Sequence, residues 1–142
     1  MAKQVSIFSE NRPGRLAAIT KVLKENNINI NAIKISSAGD FGVIKALVDN
    51  PELCYRKLRE NNITAYLRDI IGIVIKDEPG GLFEIAEVLA KNNINIEDSY
   101  GYVIADKKKA VLIIETTDEE KVRAILEKEK IGCLDDSELY KN

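Results

Sequence analysis

Residues 13–30 read PGRLAAITKVLKENNINI, and residues 79–96 read PGGLFEIAEVLAKNNINI. The two stretches align at an offset of 66 without a gap, and eleven of the eighteen positions are identical. Chance does not produce such a match, so the chain is two copies of one unit, residues 1–69 and residues 70–142.

Working outward from the repeat gives the same order of patterns in each copy. Val5-Ser6-Ile7-Phe8 is a short β-rich run, and Asn11-Arg12-Pro13-Gly14 is a turn. Leu16, Ile19, Val22 and Leu23 then recur at three- and four-residue spacing, the apolar stripe of a helix. Asn26-Asn27 predicts its end, because Asn tolerates the left-handed cap conformation. Ile28 to Ser37 reads as a second strand, Ala38-Gly39-Asp40 as a hairpin turn and Phe41 to Val48 as a third strand. Asn50-Pro51 opens a second helix that runs to Glu60, Asn61-Asn62 closes it, and Ile63 to Arg68 is the fourth strand. In the second copy the strands fall at 70–75, 96–104, 110–116 and 131–134. The helices fall at 81–91 and from a Thr117 or Asp118 cap to Glu129, and the hairpin closes through Asp106 to Lys109. The polar tail from Asp135 reads as a turn or short helix.

The pattern is β-α-β-β-α-β, twice. Two right-handed split crossovers make an α+β, ferredoxin-like fold in each copy: a four-stranded antiparallel sheet with both helices on one face. No proline and no Ser/Gly run separates the copies between Ile63 and Ile75. The units are therefore expected to be rigidly coupled or to exchange edge strands, and the sequence does not choose between these.

Composition narrows the function. The chain has 142 residues, 45% hydrophobic and 31% charged, with a net charge of −2. An acidic chain argues against a nucleic-acid partner. Histidine is absent, which removes histidine-based catalysis, histidine metal sites and a histidine pH switch. Two cysteines, Cys54 and Cys133, cannot make a zinc site alone and form no CxxC pair, so both are expected to be free thiols. No apolar run approaches the ~20 residues of a membrane helix, and the first residues lack the apolar core of a signal peptide. The expectation is a cytoplasmic protein with no membrane partner, no cofactor, no metal and no catalytic residue.

The sheet face away from the helices should be polar if it meets water. Ile70 to Ile75 and Val111 to Ile114 are apolar on both faces. One such strand is explained by a central position in the sheet, but two argue that protein covers the second face. Self-association, most simply a homodimer, is expected.

The Pro-Gly turns carry the chemical interest. Each joins a strand to a helix N-terminus, where unpaired N–H groups and the helix dipole favour an anion. Gly14 and Gly80-Gly81 allow close approach to the backbone. Asn11 offers a donor and an acceptor, whereas the second copy has Asp77 and Glu78 there, which disfavour phosphate and favour an ammonium group. An amino-acid zwitterion fits both features. The plainer alternative is that Pro13 and Pro79 simply start helices, and that Asn29 and Asn95 are turn residues.

Asn11-Arg12-Pro13-Gly14-Arg15-Leu16, followed by Asn27-Ile28-Asn29-Ile30, resembles the ACT domain, a regulatory unit of amino-acid metabolism. The first copy is similar to the serine-binding domain of phosphoglycerate dehydrogenases, and the whole chain to stand-alone tandem ACT proteins. The resemblance implies amino-acid contacts from Asn11 and Asn29 across a domain interface. A histidine of the serine-binding relatives is matched here by Ser9, and in the second copy by Ile75. The implied ligand-binding set is Ser9, Asn11, Pro13, Gly14, Arg15, Leu16, Asn29 and Ile30. In the second copy it is Asp77, Gly80, Gly81, Leu82, Asn95 and Ile96. The implied function is a non-catalytic amino-acid sensor acting on an enzyme of amino-acid metabolism, by differential affinity for two domain arrangements.

Three other readings compete. Acylphosphatases share the fold plan and hold phosphate with a loop arginine, as Arg12 or Arg15 would, but the glycine-rich cradle is missing. RNA-binding modules of the same plan need exposed aromatics on the central strands, which Phe41 to Ala46 and Ala110 to Ile114 do not supply. A ligand-free structural regulatory subunit of a biosynthetic enzyme differs from the sensor only in whether the turns are occupied. Lys107-Lys108-Lys109 reads as a solvated hairpin tip. Tyr100 and Tyr102 share a strand face, where they either pack on a neighbouring sheet or line a pocket.

Overall fold

The computed structural model describes residues 2–104 and 108–141. In chain order the elements are β1 (Lys3–Glu10), α1 (Arg15–Glu25), β2 (Ile30–Ala38), β3 (Phe41–Val48), α2 (Pro51–Glu60) and β4 (Thr64–Asp69). They continue with β5 (Ile71–Lys76), α3 (Gly81–Lys91), β6 (Asp98–Ile104), β7 (Lys109–Glu115), α4 (Glu119–Lys128), β8 (Cys133–Leu134) and α5 (Asp136–Leu139).

Alternation along the strands decides which face each sheet buries. Val5 and Ile7 of β1 lie opposite Ala46 and Ile44 of β3, and Ile7 lies opposite Ala65 of β4. All five are buried, and they share one core with Ile19, Val22 and Leu23 of α1 and Cys54 and Leu58 of α2. Both helices therefore cover the same face. The second copy repeats this: Ile71 and Ile73 of β5 lie opposite Ile114 and Leu112 of β7, in one core with Ile85 and Leu89 of α3 and Val122 and Leu126 of α4.

The strand orders are β2-β3-β1-β4 and β6-β7-β5-β8, antiparallel throughout. Each sheet is built from the strands of its own copy, so among the described residues no strand is exchanged. The chain ends do not follow the repeat. One compact unit holds residues 3–69 together with 136–141, and the other holds Ala2 together with residues 70–135. Ile70 N–H donates to the Ala2 carbonyl at 3.0 Å.

The helix ends follow the Asn pairs. Asn27, Asn62 and Asn93 have φ of 54°, 59° and 56°, the left-handed conformation that stops a helix. Lys130 does the same after α4 with φ 57°. Asn50 and Asp118 cap α2 and α4 by accepting from Leu53 and Lys121 backbone N–H groups. Pro51 is the first residue of α2.

On the far face of the second sheet, Val111 and Ile113 are buried, with Tyr102 and Tyr100 beside them in cross-strand register. Burial raises the Tyr100 phenol pKa well above its usual value. The first sheet's far face carries Gln4 and Ser6, also buried, and Phe8 and Tyr66, whose rings meet edge to face at 5.6 Å. The Asp106–Lys109 hairpin tip lies partly outside the described residues.

Candidate functional site

The first Pro-Gly turn is tied to the tip of the β2–β3 hairpin. Asn11 N–H donates to the Asp40 carbonyl at 2.7 Å, and Asn11 Nδ2 donates to the Gly39 carbonyl at 3.2 Å. Gly14 is the N-cap of α1, with φ 90° and no side-chain cap. A residue with a Cβ is strained at that φ, and nothing lies within 4 Å of where the Cβ would be. The turn thus leaves the helix start open. Pro13 and Pro79 precede the glycine N-caps and lie outside α1 and α3, so helix initiation at the first helical position does not explain them.

Charge distinguishes the two turns. No acidic residue lies in the first turn of α1. Arg15, its first residue, donates from Nε to Ser9 Oγ at 3.1 Å, and Ser9 is only 9% exposed. Arg12 Nε pairs with Glu10 at 2.8 Å on the surface. A cationic helix start suits a carboxylate. In the second copy, Asp77 and Glu78 precede α3, and Glu84 lies in its first turn. Gly80 repeats the left-handed cap with φ 91°, but Gly81 presses against the Lys76 backbone. Asp77 N–H is tied to the neighbouring hairpin through the Lys108 carbonyl, at 2.9 Å. The second turn repeats the glycine cap with the opposite charge.

Asn29 stands elsewhere. Its N–H donates to Asp49 Oδ1 and its carbonyl accepts from Asp49 N–H, both at 3.1 Å, while its Nδ2 donates to Asn31 Oδ1 at 3.0 Å. Asn29 precedes the start of β2, and Asn11 sits beside the far end. The eight steps from Ile30 to Ala38 span about 26 Å. Asn11 and Asn29 of one copy therefore cannot touch the same small amino acid. Asp77 and Asn95 are split in the same way along β6.

Ser9, Asn11, Gly14 and Arg15 come together around one turn. Pro13 and Leu16 are exposed there, as Leu82 is in the second copy. Ile30 and Ile96 are half-buried against the two cores. The contacts of Asp40, Asp49 and Asn31 depend on strand register, which no local sequence signal marks.

The family model for an ACT domain pair matches residues 1–142. The chain belongs to the ACT domain pair family. This ACT pair superposes on a solved protein of Bacteroides thetaiotaomicron with a TM-score of 0.91 and 35% identity, over 99% of this chain and 96% of that one. It also resembles, in fold, the regulatory subunit of aspartate kinase from Thermus thermophilus (TM-score 0.63, 18% identity, 89% and 90% covered). The corresponding subunit from Thermus flavus gives a TM-score of 0.58 at 17% identity, again over 89% and 90%. No curated protein matches the chain. Among the described residues of the ACT pair, no helix is long and apolar enough to cross a membrane, and no three His, Cys, Asp or Glu residues are grouped to hold a metal ion. Both cysteines are free thiols.

Proposed function

We propose that this ACT pair is a non-catalytic sensor that binds a small amino acid at the Pro-Gly turn of its first copy. The observation that carries the reading is the open start of α1. A left-handed Gly14 cap, no capping side chain and a cationic first turn would receive a carboxylate on backbone N–H groups. Asn11, held beside the hairpin tip, offers its side-chain oxygen to the ammonium group.

The 26 Å separation within a copy bears on stoichiometry. If Asn11 and Asn29 both contact the ligand, they come from two different chains, which favours a homodimer with the amino acid at the seam. The aspartate kinase subunits of the same fold are regulatory subunits, which supports an enzyme of amino-acid metabolism as the partner here. The signal would be the ligand's differential affinity for two arrangements.

The test is a thermal-shift screen against the twenty amino acids. A ligand at 100 times its Kd adds about 2.7 kcal/mol, which a melt resolves. One or two amino acids should raise the Tm, and Asn11→Ala should abolish the shift. No shift with any of them would overturn the sensor reading and leave a ligand-free structural subunit of a biosynthetic enzyme.

A further inference from the structure

The last residues of the chain pack with the first copy, not with the second copy from which they continue. Leu139 in α5 is fully buried. Its carbonyl accepts from Asn31 Nδ2 at 3.1 Å, and the Tyr140 hydroxyl accepts from Lys3 N–H at 2.8 Å. Both receptors lie at one end of the first sheet, the starts of β2 and β1.

Asn31 is placed for this by an irregularity. The β2–β3 register jumps between Ile30, opposite Val48, and Ala32, opposite Leu47, so Asn31 has no cross-strand partner. A bulge at an edge strand re-aims a side chain. One end of the Asn31 carboxamide takes the tail, and the other accepts from Asn29 Nδ2 at 3.0 Å. The second copy has Glu97 at this position, and its β6 register runs without a jump.

We propose that residues 136–141 are a releasable strap that, docked through Leu139 and Tyr140, makes Asn31 a positioning residue for the Asn29 corner, so that strap release and ligation at Asn29 are linked. Ordering six residues opposes the burial of Leu139 and the hydrogen bonds of the tail, and the difference between the two sets how readily the tail opens. The linkage to a ligand rests on the sensor reading, whereas the linkage to the corner does not.

The experiment is amide hydrogen exchange on the full chain without ligand. It compares wild type with Leu139→Ala and, in case that variant fails to fold, Tyr140→Phe. The Lys3 amide reports docking, the Asn29 and Asp49 amides report the corner, and the Cys54 and Ile63 amides report the unit as a whole. Exchange at Lys3, Asn29 and Asp49 should rise about tenfold, with Cys54 and Ile63 unchanged. A rise at Lys3 alone, or an equal rise at all five, overturns the proposal. Because no ligand is present, a failed amino-acid screen leaves this result standing, and the reverse also holds.

Discussion

The carbonyl oxygen of Lys76 fills the space that a Cβ on Gly81 would need. Arg15 holds the equivalent position in the first copy, so the two turns share a sequence pattern but not the same clearance. Gly81 is the first residue of α3 and is buried. In an ordinary helix, alanine there would gain up to about 1 kcal/mol in propensity. Here the obstacle is backbone, which cannot rotate aside. Gly81→Ala should destabilise the second unit by about 2 kcal/mol, in the range of overpacked sites. A urea melt checks this, and a stabilised variant would show that the turn yields easily.

The asparagines that end three helices make a second prediction. Asn62 sits at φ 59° after α2 and is exposed, so the backbone conformation dominates what a substitution does there. Asn62→Ala should cost about 1 kcal/mol, because alanine keeps the Cβ that is strained in the left-handed region but loses the short polar side chain with which asparagine offsets that strain. Asn62→Gly should be within about 0.5 kcal/mol of wild type. Equal melting temperatures for the two variants would mean that this φ imposes no penalty on a Cβ.

These residues also show what a sequence can disclose. The Asn-Asn pairs, the Pro-Gly turns and the alternating apolar runs are local signals, and a local signal suffices for α1, α3 and the order of elements along the chain. Lys130 performs the same stop without an asparagine, which is why the end of α4 is less plainly marked. The site is legible only in part. Gly14 and Asn11 announce themselves in one turn, but the Ser9–Arg15 contact depends on how that turn folds back. The link from Asn29 through Asn31 to Leu139 spans 110 residues and a bulge, and no periodicity encodes it. The copy to which the tail belongs is a tertiary fact, set by where Leu139 finds burial.

Ser6 offers a third prediction. It lies in the middle of β1 on the far face, 2% exposed, and its Oγ has no hydrogen-bond partner among the described residues. A buried hydroxyl without a partner forfeits its hydration and regains nothing. Ser6→Ala should therefore leave stability unchanged or raise it by up to about 1 kcal/mol. Thermal melting decides this, and a loss above about 1 kcal/mol would reveal a partner for the hydroxyl.

Cys54 makes the chain's stability depend on alkaline pH. Burial in the first core pushes its pKa up to about 12 from an ordinary 9.0, and the charge of Asp49 acts in the same direction. The folded thiol thus holds its proton while the unfolded one ionises. Its contribution is whole below about pH 9 and is lost as pH climbs toward 12, at no more than about 1.4 kcal/mol per unit. Urea midpoints at intervals between pH 8.5 and 10.5 should fall less steeply in Cys54→Ala than in wild type, whatever constant offset the substitution adds. The same burial predicts the order of thiol modification in the native protein. Cys133, half-buried on the short strand β8, should react with a disulfide reagent first, and Cys54 only at the rate at which its core opens. Equal rates for the two thiols, or identical pH slopes for variant and wild type, would place Cys54 in contact with water.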